Sequence, residues 1–274
     1  KKSMKVRPDT ISELYEASKP NYGVVLDHPL TIGLTAREIR QRQLVTLRNT
    51  RRMNEAKKNP NPQLIPVIHG HTIGSVRWFV RQLDRIGQFK VYGIGSLVPS
   101  VFNARGVGGI HSVIQIVSYV RKLLPEKIIH VFGVGSTVTM HLMFAAGVDS
   151  LDSSAWRLKA AFGAIQLPGI GDRFITGRAG KEAGKKYLDL SKKERGALEQ
   201  CNCPACKQDG LPGLRRSFSM RALHNSWVFQ KEVEKARKLI KTNRYDAYVE
   251  KVVGKSRFSN ALELARSLKG LPSS

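Results

Sequence analysis

The chain has 274 residues, 41% of them hydrophobic, enough for one large core or one core with a small appendage. Its 46 Lys and Arg against 21 Asp and Glu leave a formal charge of +25, an excess that repels itself unless a polyanion is the working partner. Nucleic acid fits, because its phosphates exchange condensed counterions for Lys and Arg; no apolar run approaches the roughly 20 residues of a membrane helix, so no membrane role is expected.

In chain order, Tyr22 to Leu26 reads as a buried strand ending at Asp27. Thr35 to Asn59 reads as a helix, with Thr35 as N-cap and Pro60 as a stop. Leu64 to Ile68 is the next strand and runs into His69-Gly70; Ser75 to Ile86 is helical. Val91 to Ile94 is a strand ending in Gly95-Ser96. Ser112 to Leu124 is a helix with Val113, Ile116, Val117, Val120 and Leu124 on one stripe. Ile128 to Phe132 is a strand followed by Gly133-Val-Gly135, Thr137 to Ala146 a helix, and Val148 to Asp152 a last short strand. This alternation predicts parallel βαβ units, and both a doubly wound sheet and an incomplete (β/α)8 barrel are open. In either, residues just after the strands form the rim of the site. Beyond Asp152, Gly163 to Gly184 reads as loop or short hairpin, and helices are expected from Ser217 to Ile240, Tyr245 to Val253 and Ser259 to Leu268.

The only cysteines are Cys201, Cys203 and Cys206, and His224 follows near a helix start. Three thiolates and one imidazole fill the tetrahedral shell of a structural zinc; the bland alternative is three idle thiols. Clustered cysteines without partners elsewhere, and a start with no positively charged, apolar-cored leader, point to a reducing, cytoplasmic location. Asp152, in Gly147-Val-Asp-Ser-Leu-Asp152-Ser-Ser, is either a strand-end nucleophile or general base, or a cap on the following helix. Asp27 is either a turn former before Pro29 or a carboxylate able to accept both donors on the Watson–Crick edge of guanine. Gly106 to His111 lacks the spacing of a phosphate loop and is expected to be a plain loop. The helix from Arg37 carries Arg40, Arg42, Arg48, Arg51, Arg52, Lys57 and Lys58, read as part of a phosphate-contacting surface.

Taken in order, these segments resemble the tRNA-guanine transglycosylase family. Tyr22-Gly-Val-Val-Leu-Asp27 is similar to the segment ending in the base-recognising Asp, and Ile68-His69-Gly70 stands where the family has Gln-Gly. Tyr92-Gly-Ile-Gly95-Ser96-Leu97 is similar to the Gly-Gly-Leu turn that contacts the base. The segment ending in Asp152 is similar to the one carrying the nucleophile, and Cys201, Cys203, Cys206 and His224 match the zinc set. The resemblance implies a modified (β/α)8 TIM-like barrel with an inserted zinc-binding module: residues 1–190 as barrel body and rim, 191–226 as the zinc module, 227–274 as closing helices. It implies Asp152 as the catalytic residue and Asp27, His69, Gly70, Gly95, Ser96 and Leu97 as substrate-binding. It also implies structural zinc and replacement of guanine by a 7-deazaguanine base.

Two departures shape the expectation. The family's Asp-Ser-Gly-Gly motif, source of a general base, is not in this sequence, so first strands upstream of Lys1 are expected. Where the bacterial tRNA enzymes have Pro-Thr-Arg after the nucleophile, this chain has Ser153-Ser-Ala-Trp-Arg157, and an archaeal-type C-terminal RNA-binding domain is not read. On these grounds DNA is the favoured substrate over tRNA, as in 7-deazaguanine DNA modification. The alternatives are a tRNA-directed enzyme and a non-catalytic nucleic-acid-binding subunit; a homodimer or accessory modification proteins are the expected partners.

Overall fold

The computed structural model describes residues 6–97, 109–176 and 190–269. The chain divides into two compact units, one of residues 1–132, 146–151 and 263–274, the other of residues 133–145 and 152–262.

The first unit alternates helix and parallel strand: α1 (Pro8–Ser18), β1 (Tyr22–Val24), α2 (Ala36–Ala56), β2 (Gln63–Ile65), β3 (Val67–Ile68), α3 (Ile73–Asp84), β4 (Val91–Ile94), α4 (Gly109–Leu123), β5 (Ile128–Val131) and β6 (Ser150–Leu151). β1 pairs with β2, and β3, β4, β5 and β6 form a second sheet, every pair parallel. The single strand expected over Leu64 to Ile68 is two short ones, because Pro66 has no N–H to give a ladder; its carbonyl still accepts from Gly93 N at 2.9 Å. Strand neighbours follow chain order throughout. A doubly wound sheet turns its order back on itself, and the described strands do not.

Local chemistry explains the helices. Thr35 caps α2 as expected, in a capping box with Glu38, which stabilises such an end by about 1 kcal/mol. The α4 stripe faces inward: Val113, Ile116, Val117, Val120 and Leu124 are all buried. They join Val76, Phe79 and Leu83 of α3 and Ile68, Ile94 and Ile129 of the strands in the buried core. α1, not foreseen, carries its own start signal, Pro8 in its first turn with Asp9 beside it. Of the loop expected over Gly106 to His111, residues 106–108 lie outside the described residues, and the helix begins at Gly109.

The second unit is mainly helical: α5 (Thr139–Ala145), α6 (Ala155–Ala161), a β7–β8 hairpin (Ala164–Leu167 and Gly171–Phe174), α7 (Lys192–Glu199), α8 (Pro204–Arg216), α9 (Phe218–Lys241) and α10 (Tyr245–Val249). A π turn (Glu250–Gly254) and α11 (Ser259–Lys269) follow, α11 belonging to this unit up to Leu262. The hairpin expected from Gly163 is present and antiparallel, with Ala164 opposite Phe174 and Leu167 opposite Gly171; residues 177–189 lie outside the described residues. α9 packs on α6, α8 and β7 through a face including Ala222, Asn225, Val228 and Ala236. Residues 191–226, the expected zinc module, all fall within this unit.

Candidate functional site

In the first unit, three strand ends deliver Asp27, His69 and Ser96 to one place. His69 is wholly buried, with Nδ1 2.9 Å from Ser96 Oγ and Nε2 2.9 Å from Asp27 Oδ2. The Nε2 contact is an electrostatic one, off the angle of an aligned hydrogen bond. A carboxylate at that distance favours the tautomer with the proton on Nε2, so the Ser96 hydroxyl donates to Nδ1. Ser96 Oγ also accepts from Leu30 N at 2.7 Å. Asp27 keeps 28% of its side chain exposed, so this carboxylate is both anchored and reachable.

The backbone is adapted to this cluster. A Cβ on Gly95 would stand 2.8 Å from His69 Cε1 and 2.8 Å from Val67 Cγ1, so only glycine lets the imidazole lie against that turn. Ser96 sits at φ 65°, a left-handed conformation costly for a residue with a Cβ. Its two hydrogen bonds offset that strain. Gly70 follows His69 directly, where a Cβ would meet Val76 Cγ2 at 2.8 Å. Leu97 is buried in the apolar interior. Gln43 was missed by sequence reasoning: fully enclosed on α2, it donates through Nε2 to the His69 carbonyl (2.6 Å) and to Ser75 Oγ (2.8 Å).

Asp152 belongs to the second unit and is exposed. Its Oδ1 accepts from Gly133 N at 2.9 Å. The N-cap of α6 is Ser154, whose side chain makes no cap bond. Ser153 Oγ instead ties this segment down, donating to the Gly135 carbonyl at 2.7 Å and accepting from Ala155 N at 3.1 Å. The Gly133–Gly135 turn, bonded at both ends, orients the carboxylate.

Cys201, Cys203, Cys206 and His224 come together, their donor atoms all within 4.8 Å of one another. His224 Nε2 donates to the Gln166 carbonyl at 3.0 Å, which turns Nδ1 toward the three sulfurs at 3.8, 3.4 and 3.4 Å. That outer bond is how a metal-ligating imidazole is held. Cys203 Sγ also accepts from Cys206 N at 3.2 Å, capping α8. Hydrogen bonds with Cys203 and Cys206 pull the Cys201 thiol down, while those with Cys201 and Cys203 push Cys206 up. Burial lowers His224, but the Cys201 and Cys203 sulfurs outweigh it and raise the ring to about 9. Crowded thiols that cannot all ionise together want a cation between them. Four protein donors, sulfur and nitrogen, suit zinc in a closed tetrahedral site.

Another buried polar group in the second unit went unread. His141, wholly buried, contacts Tyr245 OH through Nδ1 (2.8 Å) and Glu232 Oε1 through Nε2 (3.1 Å), and Tyr248 donates its hydroxyl to the same carboxylate. Burial pushes both tyrosines up. Partners so far apart in sequence leave no local signal.

The model of the family described as Queuine tRNA-ribosyltransferase matches residues 1–257. Similar relatives are a tRNA-guanine(15) transglycosylase of Methanococcus aeolicus, 27% identical over 86% of this chain and 34% of its own, and one of Pyrococcus abyssi, 27% identical over 80% and 34%. A third, of Archaeoglobus fulgidus, is 28% identical over 76% of this chain and 40% of its own. The chain thus spans about a third of the length of the first two relatives.

Proposed function

The chain belongs to the queuine tRNA-ribosyltransferase family, and from that premise we propose that it exchanges guanine in nucleic acid for a 7-deazaguanine base through a bond between Asp152 and the sugar. The observation that carries the reading is Asp152 itself: exposed, at the end of β6, and oriented by the Gly133 N–H.

The chemistry requires breaking the C1′–N9 bond through an oxocarbenium-like transition state. The Asp152 carboxylate stabilises that charge and closes on C1′, as in retaining glycosidases. The purine leaves with the bonding pair and takes up a proton. The incoming base then attacks C1′, displaces the carboxylate and loses a proton, giving retention and ping-pong kinetics. Asp27 accepts the guanine N1–H and amino group; His69 and Ser96 hold it in place. The Cys3His set holds zinc as a structural ion, with no position left for substrate. The target base must leave its stack, at a cost of a few kcal/mol that a +25 surface offsets by binding phosphates. The chain-order parallel strands support a (β/α)8-type barrel as the frame.

tRNA is the preferred substrate. The DNA expectation leaned on Ser153-Ser-Ala-Trp-Arg157 and on a C-terminal domain not being read, and a chain a third the length of its relatives gives the second ground no weight. The names of those relatives favour tRNA. Labelled-guanine exchange into tRNA and into duplex DNA separates the two. Asp152→Ala abolishes exchange, and the protein–nucleic-acid band on denaturing gels disappears, while binding persists. Turnover retained in that variant moves the nucleophile elsewhere.

A further inference from the structure

In the first unit, the arginine-rich α2 offers more than phosphate contacts. The Arg40 guanidinium of α2 stacks on the Trp78 indole of α3, 3.4 Å from the ring centroid. Arg40 is exposed and Trp78 partly so. A guanidinium laid flat on an indole leaves its outer plane uncovered, and that plane is a stacking surface for an unpaired base.

The pair is wired to the Asp27–His69 cluster along two routes. Arg40 and Gln43 are three apart on α2, and Ser75 and Trp78 three apart on α3, so the Gln43–Ser75 bond that holds the His69 carbonyl lies one turn from the stack on both helices. Trp78 also meets Phe79 edge-on with centroids 6.2 Å apart, and Phe79 meets His69 edge-on at 6.2 Å.

Charge fixes the occupant. Arg37, Arg40, Arg48 and Arg51 recur at helical spacing on the exposed face of α2, with the half-exposed Leu44 among them. Among the described residues none of the four is ion-paired, and Glu38 is taken up by the Thr35 backbone N–H and hydroxyl at 2.8 and 2.7 Å. A file of arginines with a stacked planar cation one turn from its N-terminal end suits a strand whose phosphates track the helix and one of whose bases stacks on Arg40.

We propose that Arg40 on Trp78 is a stacking platform for an unpaired nucleotide flanking the exchanged guanine, with Arg37, Arg48 and Arg51 holding successive phosphates of the strand that carries it. This rests on the nucleic-acid reading above and is tested apart from it. Stem–loops carrying guanine in the loop, in RNA and in DNA, are titrated by fluorescence anisotropy against wild type, Arg40→Lys and Trp78→Phe, with an abasic site scanned through the loop. Arg40→Lys keeps the charge and loses the plane. For wild type, one abasic position weakens binding by roughly 5- to 10-fold, from the ~1 kcal/mol or more of a base–side-chain stack. In Arg40→Lys that position becomes insensitive, the intact loop binds as weakly as the abasic one, and the salt slope is unchanged. Trp78→Phe, which keeps a ring beneath the guanidinium, falls between. If Arg40→Lys binds every loop as wild type does while wild type still exchanges guanine, the platform is wrong and the function stands. If wild type neither binds nor exchanges, both fall.

Discussion

Two regions bury an imidazole completely and use it in opposite ways. His224 turns one nitrogen to a backbone carbonyl and the other into a shell of three sulfurs, so that four protein donors fill the set. His69 turns one nitrogen to Ser96 and the other toward Asp27, whose carboxylate remains partly open to solvent. A closed donor set has one thing left to bind, an ion, and its binding energy goes into folding. An open one keeps a charged group poised for a ligand and gives up some stability to do so. The first region is therefore expected to answer to perturbation in stability, the second in turnover.

Breaking the metal shell gives the largest effect. Cys203 is wholly buried, so Cys203→Ser leaves the other ligands without a complete set. Structural zinc contributes on the order of 10 kcal/mol in isolated fingers, comparable with the stability of a whole domain. The variant, or wild type with a chelator, is expected to lose its zinc by elemental analysis and to melt at least about 10 °C lower. A metal-free Cys203→Ser that melts like wild type breaks the comparison at its first half.

The open region is sharpened by Asp27→Asn. On the proposed reading, one of two acceptors for the guanine edge becomes a donor, and hydrogen bonds to a charged group are worth ~1.5–3 kcal/mol. Guanine exchange is expected to fall roughly 10- to 100-fold in kcat/KM. The melting temperature should stay within about 2 °C, because the side chain is part exposed and its contact with His69 is poorly aligned. A large loss of stability with turnover intact would make Asp27 a structural partner of His69.

The two regions also differed in how far the sequence disclosed them. The sulfurs lie within six residues, and His224, about two turns into α9, completes them, so the spacing announced the donor set. Helix ends were legible for the same local reason: Thr35 caps α2 and Ser217 caps α9. The Asp27–His69–Ser96 cluster joins three strand ends far apart in the chain, and only their common position after strands linked them. Gln43, enclosed under that cluster, gave no sign, because a glutamine in an arginine-rich helix looks like one more solvated residue. The break at Pro66 was readable in principle, since proline removes a ladder donor, yet a continuous apolar run masked it.

Ser96 tests the boundary between the two behaviours at the smallest scale. Its φ of 65° puts a Cβ where glycine belongs, and its hydroxyl bridges Leu30 N and His69 Nδ1. Ser96→Ala removes the bridge and keeps the strain; Ser96→Gly removes both. Glycine gains the ~1–2 kcal/mol of left-handed strain and loses part of it again to the freer unfolded chain, ~0.5–1 kcal/mol. Ser96→Gly is thus expected to melt about 2 °C above Ser96→Ala, with both below wild type. Both should lose exchange activity equally, because what orients His69 toward Asp27 is the hydroxyl that neither retains. If Ser96→Ala matches wild type in melting and turnover, packing on Phe79 holds the ring without the hydroxyl, and the strain at this turn serves no bond.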